Sequence, residues 1–574
     1  MVIRNNTEVT KDWELYEAGI KYNNQMYGSE KNYYDVIDTN IAFANGDQWR
    51  NVTGEGLPKP VFNIIKRIKQ FKIASLKSNN ITINIQPMEY REVTQDEIML
   101  NNIHISDLAN AEIKNVLEKI NFDGKSRDLL SDAYDTGDMC LHFYFDMKKK
   151  PYKQKYPQIA GEIDAEIIDG TNVMFGNANC RYVEKQPYII IVGRDFVRNL
   201  QEEYKENNKS KSLENEIISD NDTNYQAGDN SKVELEADKY GKALYILKYY
   251  RGKDGTIYAN KSVKNVYIYK AKKLNLDYYP IAFANWETVK GSYHGRAETT
   301  GIIPNQIAIN KMFAMVIYHL MLTSFPTAVY NADKVAQWSN EIGAQIPLTN
   351  LQVGESIRNV AGYLEPASMS SQIINAIELA MQYTKETLGI SDASLGNINP
   401  QNTSAIIAVQ KANVVPLENV RASLYEFVED CGRILVDMMS TYYGIRPIVI
   451  TDGKNRSIEE FDFKRLKGMW LHIKADVGAS TYYSEIASLQ TLDNLLNAGK
   501  IEFIDYLKRI PDEILPKKEE LIKKLEGTDM RTSVLYSLMA KFMEQLPPDI
   551  QQQLQTLPPE QMEQEVLKMM GVNE

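Results

Sequence analysis

Apolar residues change their spacing along this chain, and each spacing predicts an element. From Phe62 to Lys77, Ile64, Ile65, Ile68 and Leu76 share one side of a helix that also carries Lys66, Arg67, Lys69, Lys72 and Lys77. The next run, ITINIQP, alternates Ile81, Ile83 and Ile85 with polar residues, as a half-buried strand does. A second helix is predicted from about Thr94 to Lys119. In SDAYDTGDMCLHFYFD a helix turns at Gly137 into a strand, and residues 160–200 continue with strand-like alternation. Between Gln201 and Lys239 the composition becomes rich in Glu, Lys, Asn, Asp and Ser, which fits an exposed excursion from the fold. Strands resume at Lys242, with an Asp-Gly turn in KDGT.

The centre of the chain is helical. One helix is expected from about Pro304 to Ser324; from Met312 onward it is apolar nearly all round, so protein should enclose it on most sides. Residues 326–367 read as a compact mixed stretch. A helix from Ser371 to Leu388 lines up Ile373, Ile377, Met381 and Leu388, and Gly389 suits its C-terminal stop. A long polar loop, ISDASLGNINPQNTS, follows. A third helix is expected from Ser404 to Tyr443, bent at Pro416. Within it Leu417, Val420, Leu424, Phe427, Cys431, Ile434 and Met438 follow a 3,4 spacing that predicts a seam for a partner helix. Strands IRPIVIT and MWLHIKADVG come next, then helices from Thr481 to about Glu526 and two LPP units near the end.

Charge and composition narrow the function. The 574 residues carry a net charge of −11, which argues against a protein that grips DNA by charge alone. The three cysteines are far apart and signal neither a disulfide framework nor zinc, so a reducing cytoplasm fits. The polar N-terminus lacks a signal-peptide core, and the most apolar run, Met312 to Leu322, is too short to cross a bilayer; no membrane role is expected. The GKS at Gly124–Ser126 lacks the earlier glycine of a phosphate loop, because Lys119 stands there, and reads as a helix turn. The acids between Asp220 and Asp229 miss the calcium-loop pattern at Tyr225 and Ser231. The five histidines have no metal-ligand spacing, and His319 reads as a core or interface residue. No catalytic residues, cofactors or metal are expected, and the basic helix around Lys66 reads as a solvated or subunit-facing surface.

The order of elements, together with FANGDQW, PVFNIIKRIKQFKIASLKSNNITINIQP, WETVKGSYHGRAETTGIIPNQIAINK, SLGNINPQNTSAIIAVQ and ADVGAST, resembles the portal (head–tail connector) proteins of tailed bacteriophages across about residues 40–500. The resemblance implies an α+β portal-protein fold: a mixed α/β wing in 1–300, with the charged insertion 201–239, and a wing return in 444–480. It implies stem helices at 301–324 and 371–389, a clip at 325–370 and a tunnel loop at 390–403. A long kinked helix at 404–443 and a helical crown with the C-terminal tail at 481–574 complete the scheme. It further implies a ring of twelve subunits at one capsid vertex, assembled in the host cytoplasm and kept in the virion. Through it double-stranded DNA would be packaged and ejected without sequence specificity, with the large terminase subunit, a head–tail adaptor, and major capsid and scaffolding proteins as partners. Ser391, Asp392, Ser394, Asn397, Asn399, Gln401 and Asn402 would line the tunnel; Lys334 and Trp338, if exposed, would meet clip partners, with core burial the alternative for Trp338; Met312, Val316 and Leu320 would lie between subunits. A nucleic-acid-processing enzyme and a cellular scaffold or interaction protein remain the alternatives.

Overall fold

The computed structural model describes residues 7–27, 31–50, 52–54, 56–77, 81–87, 96–150, 159–208, 213–219, 241–264, 266–324, 327–339, 341, 343–364, 369–390, 415–452, 455–467, 469 and 471–477. Further on it describes 492–496, 498–501, 503–510, 518 and 521–522. The chain divides into two compact units, 1–478 and 479–574.

The first unit is mixed α+β, and its described sheets are all antiparallel. Helices α1 (Thr7–Gln25), α2 (Tyr33–Asn45) and α3 (Ile64–Lys77) precede β1 (Ile81–Pro87). Then come α4 (Asp96–Lys119), α5 (Phe122–Thr136), β2 (Asp138–Asp146) and β3 (Glu162–Ile167). The helix-to-strand switch falls at Gly137, as expected, with φ of 97°. A Cβ there would come within 2.7 Å of the Gly295 carbonyl oxygen, so both the dihedral and the close backbone approach require glycine.

A five-stranded sheet follows, ordered β4 (Val173–Phe175), β5 (Tyr188–Phe196), β6 (Lys242–Arg251), β7 (Ile257–Val263), β8 (Val266–Lys273). The β6–β7 turn is the predicted Asp-Gly turn, with Gly255 at φ 79°. On one face Ile190, Val192, Leu244 and Ile246 pack against Tyr16 of α1. Asp12 of α1 fixes that docking, accepting from Lys248 (2.6 Å), Asn260 (3.0 Å) and Tyr267 (2.9 Å). Helix α6 (Val197–Asn207) buries Leu200 and Tyr204 against Val263, Val266 and Ile268. The charged stretch therefore begins as part of the fold; residues 220–240 lie outside the described ones.

Strand β9 (Ile281–Asn285) joins β2 and β3 in a three-stranded sheet, and α7 (Glu298–Thr323) follows. Later elements are β10 (Ala328–Tyr330), β11 (Ala361–Tyr363), α8 (Ser371–Thr387), α9 (Glu418–Tyr442), the hairpin β12 (Ile445–Asp452) with β13 (Asn455–Asp462), and β14 (Leu471–Val477). The main core combines α3, α4, α5, β2, β9 and α9.

Two expectations about the third helix change. The 3,4 seam from Leu417 to Met438 is buried inside the same chain, where α9 lies across β9 and β14. Its spacing served a sheet of its own subunit, because helix periodicity reports a buried stripe and not what covers it. Pro416 sits in a short 3₁₀ turn, Val415–Leu417, ahead of α9, and the portion from Ser404 to Asn413 lies outside the described residues. Asp437 of α9 accepts from the backbone N–H groups of Asp277 (2.7 Å) and Tyr278 (3.0 Å); burial raises its carboxyl above the usual range.

In the second unit, the described residues include a helix at Phe503–Arg509 with Leu507 buried, and Tyr506 donates to Asp493. Most of the helices expected after Thr481 lie outside the described residues.

Candidate functional site

Helix α7 has two unlike halves. Its first turns sink into the core through polar groups. Lys72, buried at 5% exposure, pairs with Glu298, which also accepts from the Trp286 indole at 3.0 Å. Thr299 donates to Asp135 (2.8 Å), which pairs with Lys69 (2.5 Å). Two turns on, Gln306 accepts from the Ile64 N–H (3.1 Å) and donates to the Phe62 carbonyl (2.8 Å) and Asn310 (3.0 Å); Asn310 donates to Gln48 (2.6 Å). This ladder ties the GDQW and PVFN segments to the helix. The helix therefore starts at Glu298, six residues before Pro304, because tertiary polar contacts and not apolar spacing organise its first turns.

Ahead of it, the loop from β9 is held by a buried carboxylate. Asp138 accepts from Tyr33 (2.8 Å), Asn285 (2.7 Å) and the Gly295 N–H (2.7 Å), and His294 Nδ1 lies 2.6 Å away. Burial, and then the Asp138 charge, push the Tyr33 hydroxyl well above its ordinary range, so it remains a donor.

The second half of α7 is apolar and uncovered. Met315 (61%), Leu320 (51%) and Leu322 (62%) face solvent in the protomer, with Tyr318 and Met321 also exposed. Met312 and Val316 are half-buried. Among the described residues a single protomer does not supply the enclosure that the sequence calls for on most sides of this helix. Helix α8 runs beside α7 and is capped by Ser370, whose hydroxyl accepts from the Gln372 N–H. It exposes Ile373, Ile374, Leu379 and Tyr383.

Between these helices, β10 and β11 form a two-stranded pair. From 327 to 364 the described buried hydrophobics are Val335 and Val360, whereas Val329, Leu351, Val353, Ile357, Tyr363 and Leu364 are exposed. So small a module cannot bury its own apolar surface. Lys334, expected to be exposed, and Trp338, expected either exposed or in the core, are each half-buried. Lys334 pairs with Glu355, and Trp338 stacks on Tyr330 (5.6 Å) and meets Tyr363 edge-on (5.7 Å). Their side chains hold the module's fold, which limits what they offer to a partner.

Gly389 stops α8 at φ 66°, and a Cβ there would come within 2.5 Å of Pro416. Ile390 and Leu417 are both buried in the main core. The chain therefore comes back to one place in the fold on either side of residues 391–414. Ser391, Asp392, Ser394, Asn397, Asn399, Gln401 and Asn402 lie outside the described residues.

The basic helix differs from expectation. Lys69, Lys72 and Lys77 pair internally with Asp135, Glu298 and Asp123, leaving Lys66 and Arg67 on the exposed side. The GKS turn is the first turn of α5, as read. Among the described residues no group of His, Cys, Asp and Glu could hold a metal, and no helix is long and apolar enough to cross a membrane. Sequence reasoning missed Gln306, Asn310 and Glu298; Gln306 and Asn310, two polar residues four apart and so on one side of the helix, were the available signal.

No curated protein matches this chain significantly. The model of the family described as Phage P22-like portal protein matches residues 126–570, most of the chain, from within α5 onward. Together with the mixed α+β fold and the central helix pair, this match establishes that the chain belongs to the P22-like phage portal proteins.

Proposed function

We propose that this protein acts at the unique vertex of a phage capsid as the ring through which DNA is packaged and later ejected. Membership of the portal family carries the proposal, and that family is structural rather than enzymatic. In this reading 301–324 and 371–389 are the stem helices and 325–370 is the clip. Residues 390–403 are the tunnel loop, with Ser391, Asp392, Ser394, Asn397, Asn399, Gln401 and Asn402 towards the DNA. The wing is built from 1–300 and 444–480, and the crown from 481–574. The uncovered apolar half of α7 and the exposed face of α8 favour neighbours of the same kind, with Met312, Val316 and Leu320 between subunits. The exposed apolar residues of 327–364 favour docking of the large terminase subunit and then a head–tail adaptor. Native mass spectrometry with negative-stain imaging tests the ring. Closed rings of about twelve subunits are expected; monomers alone across a wide concentration range would refute the assembly.

A further inference from the structure

The sheet edge at β8 runs against the charge of the whole chain. Between Lys242 and Lys273 stand nine cationic residues and a single acid, Asp254, in a protein of net charge −11. Four of the cations are matched inside the fold: Lys248 by Asp12 (2.6 Å), Arg251 by Glu184 (2.6 Å), Lys261 by Glu203 (2.7 Å) and Lys273 by Asp254 (2.7 Å). Lys253, Lys264 and Lys272 are exposed and have no carboxylate partner among the described residues. Lys270 is also exposed, over the Tyr267 ring at 5.8 Å, and Lys272 lies over Tyr269 at 5.0 Å.

They share one edge of the sheet, Lys270 over Tyr267 on the α1 side and Lys272 over Tyr269 on the α6 side. Strand β8 is the sheet's outer strand and pairs with β7 alone among the described strands. Lys264 marks the turn at one end, Lys270, Lys272 and Lys273 follow the strand, and Lys253 lies in the turn at the other end. Seven residues of extended chain make this line about 23 Å long. Along this edge β7 and β8 shift register between Ala259 and Ser262, and Ala271 has φ of 48°.

We propose that this stripe binds the sugar-phosphate backbone of double-stranded DNA on a surface separate from the tunnel. Compact ammonium groups suit a phosphate contact that ignores sequence. A protein partner is disfavoured because lysine is depleted at protein–protein interfaces. Lysines also protect a sheet edge from pairing with another strand. That role leaves DNA affinity unaffected, so the two are separable.

The test uses covalently closed circular duplex DNA, which cannot thread a closed ring and so reports outer binding only. The full chain and the variant Lys253→Gln/Lys264→Gln/Lys272→Gln are compared across about 50 to 200 mM KCl, where three phosphate contacts give a slope near −2.7 and roughly a fortyfold fall in affinity. The wild type should show that fall and the variant should lose most of it, while the Lys→Arg counterpart binds as the wild type does. Equal binding by wild type and Gln variant would overturn the proposal. So would a Gln variant that keeps its DNA affinity but changes its oligomeric state, which would assign the stripe to a second copy of the chain, or one that merely aggregates, which would assign it to edge protection. Where no closed ring forms, the difference between wild type and Gln variant still isolates the stripe from any tunnel contact.

Discussion

Replacing Leu320 with Asp should separate assembly from folding. Leu320 is 51% exposed in the protomer, and Met315, Met321 and Leu322 around it are exposed to a similar degree. Fully burying a Leu or Met side chain is worth about 1.5–3 kcal/mol, so covering the remaining half contributes roughly 1 kcal/mol for each of these four residues. A neighbour that covers them gains about 4 kcal/mol at each interface. Leu320→Asp removes one such share and places a charge where it must be desolvated without a partner, a further cost of several kcal/mol. The sum is about equal to the whole gain from this face, so rings should fail. The protomer should stay folded, because the substituted side chain is half in water already. Ile302→Ala is the contrast: Ile302 is 1% exposed at the anchored base, and its truncation should cost about 2–5 kcal/mol of folding stability. Native mass spectrometry reads assembly and thermal melting followed by circular dichroism reads folding. Normal rings from Leu320→Asp would show that this face of α7 meets no neighbour, and a melting loss as large as that of Ile302→Ala would show that the protomer already buries it.

The other expected outcomes follow from groups already placed. Native alkylation should label Cys180, which is half-buried, and spare Cys140 and Cys431, whose thiols are buried and pushed up by burial; mass spectrometry of the peptides checks this. The raised carboxyl of Asp437 holds its proton to higher pH in the folded chain than in the unfolded one, so its share of stability is present at low pH and is lost as pH rises through the folded value. Both backbone donors reach one oxygen, which Asn can supply, so Asp437→Asn should melt higher than the wild type at neutral pH, with the difference fading on acidification. Lys72→Met should leave Glu298 charged and unpaired in the core, costing about 3–5 kcal/mol, and Lys72→Met/Glu298→Gln should recover much of that loss in chemical denaturation.

What was legible in the sequence was local. The α5–Gly137–β2 switch, the Asp-Gly turn of β6–β7, the alternation of Ile81, Ile83 and Ile85, and the stop at Gly389 each follow from a few adjacent residues. What was not legible depends on distant partners. Strand β1 pairs with β14, Ile81 opposite Val477, and nothing in either segment names the other. The lysines of α3 looked like a solvated face until Asp135, Glu298 and Asp123 came to meet them. The stripe on α9 was correctly read as buried, but its covering surface was misassigned, because β9 and β14 present to a helix the same apolar groups as another helix would. For Trp338 the sequence left exposure and core burial both open, and the rings of Tyr330 and Tyr363 decide it, flanking the indole so that it is half-buried.

The contact between Gly389 and Pro416 has a consequence for how such a protein can change. The two ends of the intervening segment are set by packing at a single point, with Ile390 and Leu417 fixed in the same core. Residues added or removed between them leave both anchors in register, whatever course the segment takes. A change of length there leaves the packing of Gly389 on Pro416 in place. A lineage can adjust it without refitting α8, α9 or the sheets behind them, whereas a single insertion within α7 would rotate its uncovered face by about 100° relative to its base.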